Sequence, residues 1–191
     1  MAQNAERRAA LLDAAIEVLA REGARGLTFR AVDVQAEVPT GTASNYFGKR
    51  DDLLNQIAPR IYARLGPDPD AVSQTLEAPP TKATVVRFMH ELMGRVTADR
   101  TGYIALLELR LEATRRPEMR EALTAMLRPE YEEAIRFHLD SGLPGDRTTV
   151  SVLYFAMLGL IVEHLTTPDA VAADALDALV DGIVDRVVPE R

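Results

Sequence analysis

Between Thr28 and Phe47 the chain leaves room for two short helices joined by a corner. Thr28 is placed to cap about two turns of helix that end near Ala36. Glu37-Val38-Pro39 then turns sharply, because a residue before proline is pushed into extended geometry. Thr40 to Phe47 has the length of one more short helix. Val32, Ala36, Val38 and Phe47 are the apolar anchors of the pair. Helix, tight turn, helix is a layout that sets its second helix in the major groove of DNA.

The rest of the chain is also helical in character. Alanine and leucine dominate, aromatics make up 5%, and no segment alternates as a strand would. A helix is expected over about 5–22, with Leu11, Leu12, Ala15, Ile16 and Leu19 on one face and Gly23 and Gly26 ending it. Another is expected over 49–65, with Asp51 and Asp52 in its first turn and a kink at Pro59. Five more are expected over 81–98, 100–115, 117–140, 146–167 and 169–188, with a kink at Pro129. The prolines and glycine of 66–70 and 78–81 mark a linker at 66–80. The expected fold is all-α, with about nine helices. A three- or four-helix headpiece at 1–65 precedes a helical bundle at 81–191.

The hydrophobic share of 47% is enough to fill a core, and the absence of cysteine excludes disulfides and thiolate metal sites. That fits a cytoplasmic protein. No leader segment is visible, and the longest apolar run, Val150 to Val162, is short of the ~20 residues of a membrane span. No membrane partner is expected. The net charge of −7 is unevenly spread. Residues 1–65 hold nine lysines and arginines against eight acids, and the remainder holds 13 against 21. A near-neutral first part can bind phosphates where its cations share one face.

The second short helix has the residues a groove-facing helix needs. Gly41 and Ala43 allow close approach of the backbone. Thr40, Thr42, Ser44 and Asn45 offer short donors and acceptors for phosphates and base edges. Tyr46 can reach a phosphate with its hydroxyl, and Lys49 and Arg50 add charge at the next helix start.

Residues 10–54 resemble the DNA-binding region of TetR-family transcriptional regulators. The segment GLTFRAVDVQAEVPTGTASNYFGKRDDLL carries the resemblance at Thr28, Ala36, Val38, Gly41, Thr42, Phe47, Arg50, Asp51, Leu53 and Leu54. Residues 107–123 are less specifically similar to the second domain of some members. Three positions depart from the pattern. Glu37 stands where the family has glycine, Pro39 replaces a capping serine, and Ser44 replaces a tyrosine that arrives at Tyr46. Thr42 and Arg50 are the expected phosphate contacts, Arg30 is expected to clamp the DNA backbone from the first short helix, and Thr28 belongs to the expected DNA-binding set; Thr40, Ser44 and Asn45 are expected to read bases.

The second part carries a dimer and a pocket. A helix apolar on every face must be buried on every face, so the helix over 150–162 needs a partner beyond its own domain. Leu153, Ala156, Gly159 and Leu160 on it are expected to pair with their symmetry mates. Leu176, Leu179, Val180, Ile183, Val184 and Val187 on the last helix complete that two-fold bundle. A two-fold homodimer puts the reading helices about one DNA turn, ~34 Å, apart and calls for a palindromic operator. Phe88, Met89, Leu92, Tyr103, Leu106, Leu107, Tyr131, Phe137, Tyr154, Phe155 and Met157 suit a ligand cavity, and Arg110, His138 and His164 could orient a ligand in it. The resemblance implies a small-molecule effector, not identified by the sequence, that shifts the dimer between DNA-competent and incompetent states, and it leans to a repressor.

An enzyme is not expected. His90, His138 and His164 make no metal-binding spacing, and Glu108 and Glu112 precede Arg115 and Arg116 as a solvated ion-pair face. No cofactor and no metal is expected. The alternative is a helical ligand-binding or scaffold dimer that has lost specific DNA binding; Asp33, Glu37 and the few cations speak for it.

Overall fold

In the computed structural model residues 2–66 and 77–190 are described. Their nine α-helices are α1 Ala2–Gly26, α2 Phe29–Gln35, α3 Thr42–Phe47, α4 Arg50–Leu65, α5 Lys82–Ala98, α6 Arg100–Ala113, α7 Pro117–Asp140, α8 Arg147–Thr166 and α9 Leu176–Val187. No strand occurs among the described residues. Most of the linker expected at 66–80 lies outside them.

Two compact units make up the chain: residues 1–66 with 99–127, and residues 67–98 with 128–191. In the first unit α1 packs on α2, α4 and α6. Leu11, Ile16 and Leu19 of α1, Val32 of α2, Phe47 of α3, Leu53, Ile57 and Ile61 of α4 and Leu109 of α6 close one core. Each of these large side chains, removed from water, is worth about 1.5–3 kcal/mol. The helix α1 runs past its expected end but breaks at Gly23, where φ 68 and ψ −179 leave helical space. Arg60 and Arg64 on α4 reach back to α1 and to the start of α6. Arg60 meets Asp13 at 2.8 and 2.6 Å, and Arg64 meets Asp99 at 2.9 and 2.7 Å. The Asp13 carboxylate raises the Arg60 pKa further above its ordinary value. Asp99 also caps α6 by accepting the Gly102 amide at 3.0 Å. The helix α4 continues through Pro59 as one element.

In the second unit α5 packs on α9 and α8, and α8 on α9. Val85 and Val96, Leu153, Met157 and Ile161, and Val180 and Val184 form its core. Across its surface His90 Nε2 lies 2.8 Å from Asp181, and Lys82 bonds Asp185 and Glu190 at 2.9 Å. The Lys82 ammonium holds the Asp185 carboxyl below the usual range. The last helix begins at Leu176 rather than near Asp169. Two 3-10 turns, Pro168–Ala170 and Ala173–Ala175, occupy the stretch between, with Ala172 extended at ψ 136. The helix α8 has 20 residues and mean hydropathy 1.6 over its most apolar window, enough by length and composition to cross a membrane. The thirteen-residue run read from sequence understates it.

Candidate DNA interface

Thr28 starts the motif as expected. Its hydroxyl accepts the Ala31 amide at 3.1 Å and caps α2. Glu37 follows α2 in the left-handed region, φ 53. A non-glycine residue there costs about 1 kcal/mol. The corner is closed by the Val38 amide donating to the Asp33 carbonyl at 3.0 Å and the Thr42 amide to the Pro39 carbonyl at 3.1 Å.

The reading helix starts two residues later than expected. Gly41 has φ 95 and cannot be helical, so α3 opens at Thr42. Ala43 and Phe47 are its buried face, at 0% and 2% exposure. Ala43 therefore packs into the core and does not permit close approach to a groove. Thr40, Ser44, Asn45 and Lys49 are exposed, and Thr42 and Tyr46 are half-buried. The Thr42 hydroxyl donates to the Pro39 carbonyl at 2.6 Å and the Ser44 hydroxyl to the Gly41 carbonyl at 2.9 Å. Both retain lone pairs, and neither presents its hydroxyl hydrogen outward. Arg30 is exposed on α2.

Arg50 is placed differently from a surface phosphate contact. It is half-buried; Nε donates to the Leu27 carbonyl at 2.9 Å and Nη2 to the Ala24 carbonyl. Those carbonyls end α1 and lead into α2, so Arg50 pins the start of α4 to the start of the motif. Asp51, next to it, meets Arg116 at 2.6 Å.

Two residues not anticipated from sequence hold α3. Asp33, 2% exposed, accepts the Gly41 amide on Oδ2 and the Ala43 amide on Oδ1, both at 2.7 Å. Its charge is turned inward and does not face phosphates. Arg8 grips the other end. It donates to the Tyr46 carbonyl at 3.0 Å, to Gln56 Oε1 at 2.9 and 2.7 Å, and lies 4.8 Å over the Phe47 ring. The sequence shows only that Gly41 has no side chain to cap α3, and not that Asp33 takes that place.

The residues expected around a ligand are divided between the units. Tyr103, Leu106, Leu107 and Arg110 lie on α6 in the first; Phe88, Met89, Leu92, Tyr131, Phe137, His138, Tyr154, Phe155, Met157 and His164 lie in the second. His138 is a satisfied interior residue. It is 6% exposed and its Nε2 donates to the Pro144 carbonyl at 3.0 Å, so it is not free to orient a ligand. Phe155 is 60% exposed in the single chain. It joins Tyr131 and Tyr154 in a surface aromatic cluster with centroids 5.1–5.9 Å apart. The Arg110 Nε is buried without a hydrogen-bond partner. A cavity of about 60 Å³ lies in the first unit among Leu54, Ala58, Pro59, Leu109, Met119 and Leu123, and none of the expected residues lines it.

The apolar faces of α8 and α9 separate into two sets. Leu153, Val180 and Val184 are buried within the unit, so they are core and not the expected interface. Gly159 and Leu179 are exposed, and Ala156, Leu160, Leu176, Ile183 and Val187 are half-buried. Val152 and Phe155 extend the same open face of α8.

Residues 11–57 match the family model described as bacterial regulatory proteins, tetR family. Residues 80–189 match that of the tetracyclin repressor-like C-terminal domain. The chain is 25% identical over 189 residues to the HTH-type nicotine-responsive transcriptional repressor HdnoR of Paenarthrobacter nicotinovorans, covering 95% of this chain and 96% of that protein. Among solved structures, a TetR-family member from Streptomyces coelicolor A3 is 26% identical, with a TM-score of 0.70 over 96% of this chain and 99% of that one. The multidrug binding protein EbrR in complex with imidazole is 28% identical, with a TM-score of 0.64 over 97% and 96%.

Proposed function

We propose, from the fact that this chain belongs to the TetR family of bacterial regulatory proteins, that it is a homodimeric, cytoplasmic repressor. It reads a palindromic operator with α3 and releases it when a small molecule binds. The observation that carries the DNA reading is the two-sidedness of α3: Ala43 and Phe47 are buried, and Ser44 and Asn45 are exposed, with Thr40 exposed just before the helix. Short polar side chains on an otherwise anchored helix are what base edges require. In this reading Thr40, Ser44 and Asn45 contact bases. Thr28, Arg30, Thr42, Tyr46 and Lys49 contact phosphates, with Gly41 at the helix start. Arg50 holds the motif in shape. The functional division into a headpiece at 1–65 and an effector and dimerisation region at 81–191 follows from the same reading.

The dimer is proposed through the open faces of α8 and α9, with Phe155, Ala156, Gly159, Leu160, Leu179 and Ile183 at its centre. Relatives that respond to nicotine or bind imidazole, proflavin and ethidium support a small organic effector. Arg110 is the side chain proposed to meet its polar group. No catalytic role is proposed.

Selection from random DNA with the full chain should return a palindrome with half-site centres about 10 base pairs apart. Mobility shifts on that DNA, titrated with nicotine, proflavin and ethidium, test release. Recovery of no preferred sequence would overturn the reading.

A further inference from the structure

We infer that Asp33 and Arg8 are positioning residues that set the roll of α3, and through it which bases the helix reads. The inference rests on the DNA reading above, since neither side chain reaches the exposed face itself.

A six-residue helix is far below the length that is stable alone. Most of its amides and carbonyls are end groups without an internal partner. The N-cap does not cap it with a side chain, because Gly41 has none. The cap comes instead from α2, through the buried Asp33 carboxylate and the amides of Gly41 and Ala43. At the far end the carbonyl of Tyr46 takes a donor from Arg8 on α1. An anion sits at the positive end of α3 and a cation at the negative end, so both interactions follow the helix dipole. The two grips also come from different helices. They hold opposite ends of α3 with directional bonds, so a rotation of α3 about its axis strains both.

The consequence for reading is geometric. Successive residues of a helix are 100° apart, so a modest roll carries the Ser44 and Asn45 side chains off the base edges they address. Ala43 and Phe47 are apolar and non-directional anchors and resist such a roll weakly. The exposed cations Arg30 and Lys49 lie outside α3, so the charged phosphate contacts survive it, and only the uncharged ones of Thr42 and Tyr46 move with the helix. Loss of either grip should therefore reduce discrimination between sequences while leaving electrostatic attraction in place.

The test uses the full-length protein, the operator recovered by selection and a scrambled duplex, each at several salt concentrations. Asp33→Asn and Arg8→Gln should lower the ratio of operator to scrambled affinity about 10- to 100-fold, the loss of one or two base contacts. The slope of log affinity against log salt should stay at the parent value. A parental ratio in folded variants overturns the inference. So does a ratio that falls together with the salt slope, because that marks a phosphate contact. Amide exchange adds a readout that needs no DNA. The Gly41 and Ala43 amides should exchange faster in Asp33→Asn, while the amides of α4 stay unchanged. Unchanged exchange at Gly41 and Ala43 overturns the grip even where the parent binds no DNA, and a parent without sequence preference overturns the DNA reading instead.

Discussion

The helices α3 and α8 each present a face that the described chain leaves uncovered, and they are held in opposite ways. The six residues of α3 are held by directional charged bonds, from Asp33 at one end and Arg8 at the other. The twenty residues of α8 are held by area: Val150, Leu153, Met157, Ile161 and Leu165 form its buried stripe. The open face of α3 is hydroxyls and an amide; that of α8 is Val152, Phe155, Ala156 and Gly159. A polar face held by directional bonds suits recognition, where a small rotation changes the answer. An apolar face on a broad support suits association, where area matters more than angle.

Charge on the α8 face should have the largest effect. Phe155→Asp combined with Leu179→Asp puts two carboxylates where the dimer is proposed to close, at positions 60% and 39% exposed in the single chain. The protein should stay folded and become monomeric by analytical ultracentrifugation. Operator affinity should fall about 100-fold or more, because two linked headpieces bind with an effective concentration that one does not have. A variant that stays dimeric places the interface elsewhere.

Arg50→Ala tests the directional side of the comparison. It removes two charge-assisted bonds to the carbonyls of Leu27 and Ala24. For a half-buried guanidinium the cost should be about 2 kcal/mol, read as a fall in the urea midpoint with an unchanged slope. If stability is unchanged and the salt dependence of DNA binding becomes shallower, Arg50 is a phosphate contact after all.

The contrast also explains how much was legible in the sequence. Caps and periodicity are local, so Thr28 as a cap, Asp146 as the cap of α8 and the apolar face of α1 were readable from neighbouring residues. The grips on α3 link Asp33 to residues 8 and 10 positions away and Arg8 to one 38 positions away, and no local pattern encodes such pairings. In α8 and α9 the difficulty was of another kind. The helix α8 is apolar all round and has no polar side to tell inward from outward, so Leu153 was indistinguishable from a true surface position; α9 is amphipathic, and its apolar stripe does not say whether Val180 and Val184 meet their own unit or a partner. The alanine-rich stretch before α9 has high helix propensity, yet the extended Ala172 keeps it in 3-10 turns.

The smallest effect concerns Glu37, which lies on the path from α2, where Asp33 sits, to α3. At φ 53 it occupies space that glycine enters without steric cost. Against that relief stands the entropy glycine loses on folding, about 0.5–1 kcal/mol, so Glu37→Gly should stabilise by about 0.5 kcal/mol at most. The melting temperature should rise by no more than about 2 °C in a chain of this length. The substitution also removes an exposed carboxylate beside the reading helix. Affinity for operator and scrambled DNA should therefore rise together, most at low salt, with their ratio unchanged. That pattern is the reverse of the one expected for Asp33→Asn. If the ratio changes instead, the corner takes part in setting the roll of α3, and the two end grips are not sufficient to fix it.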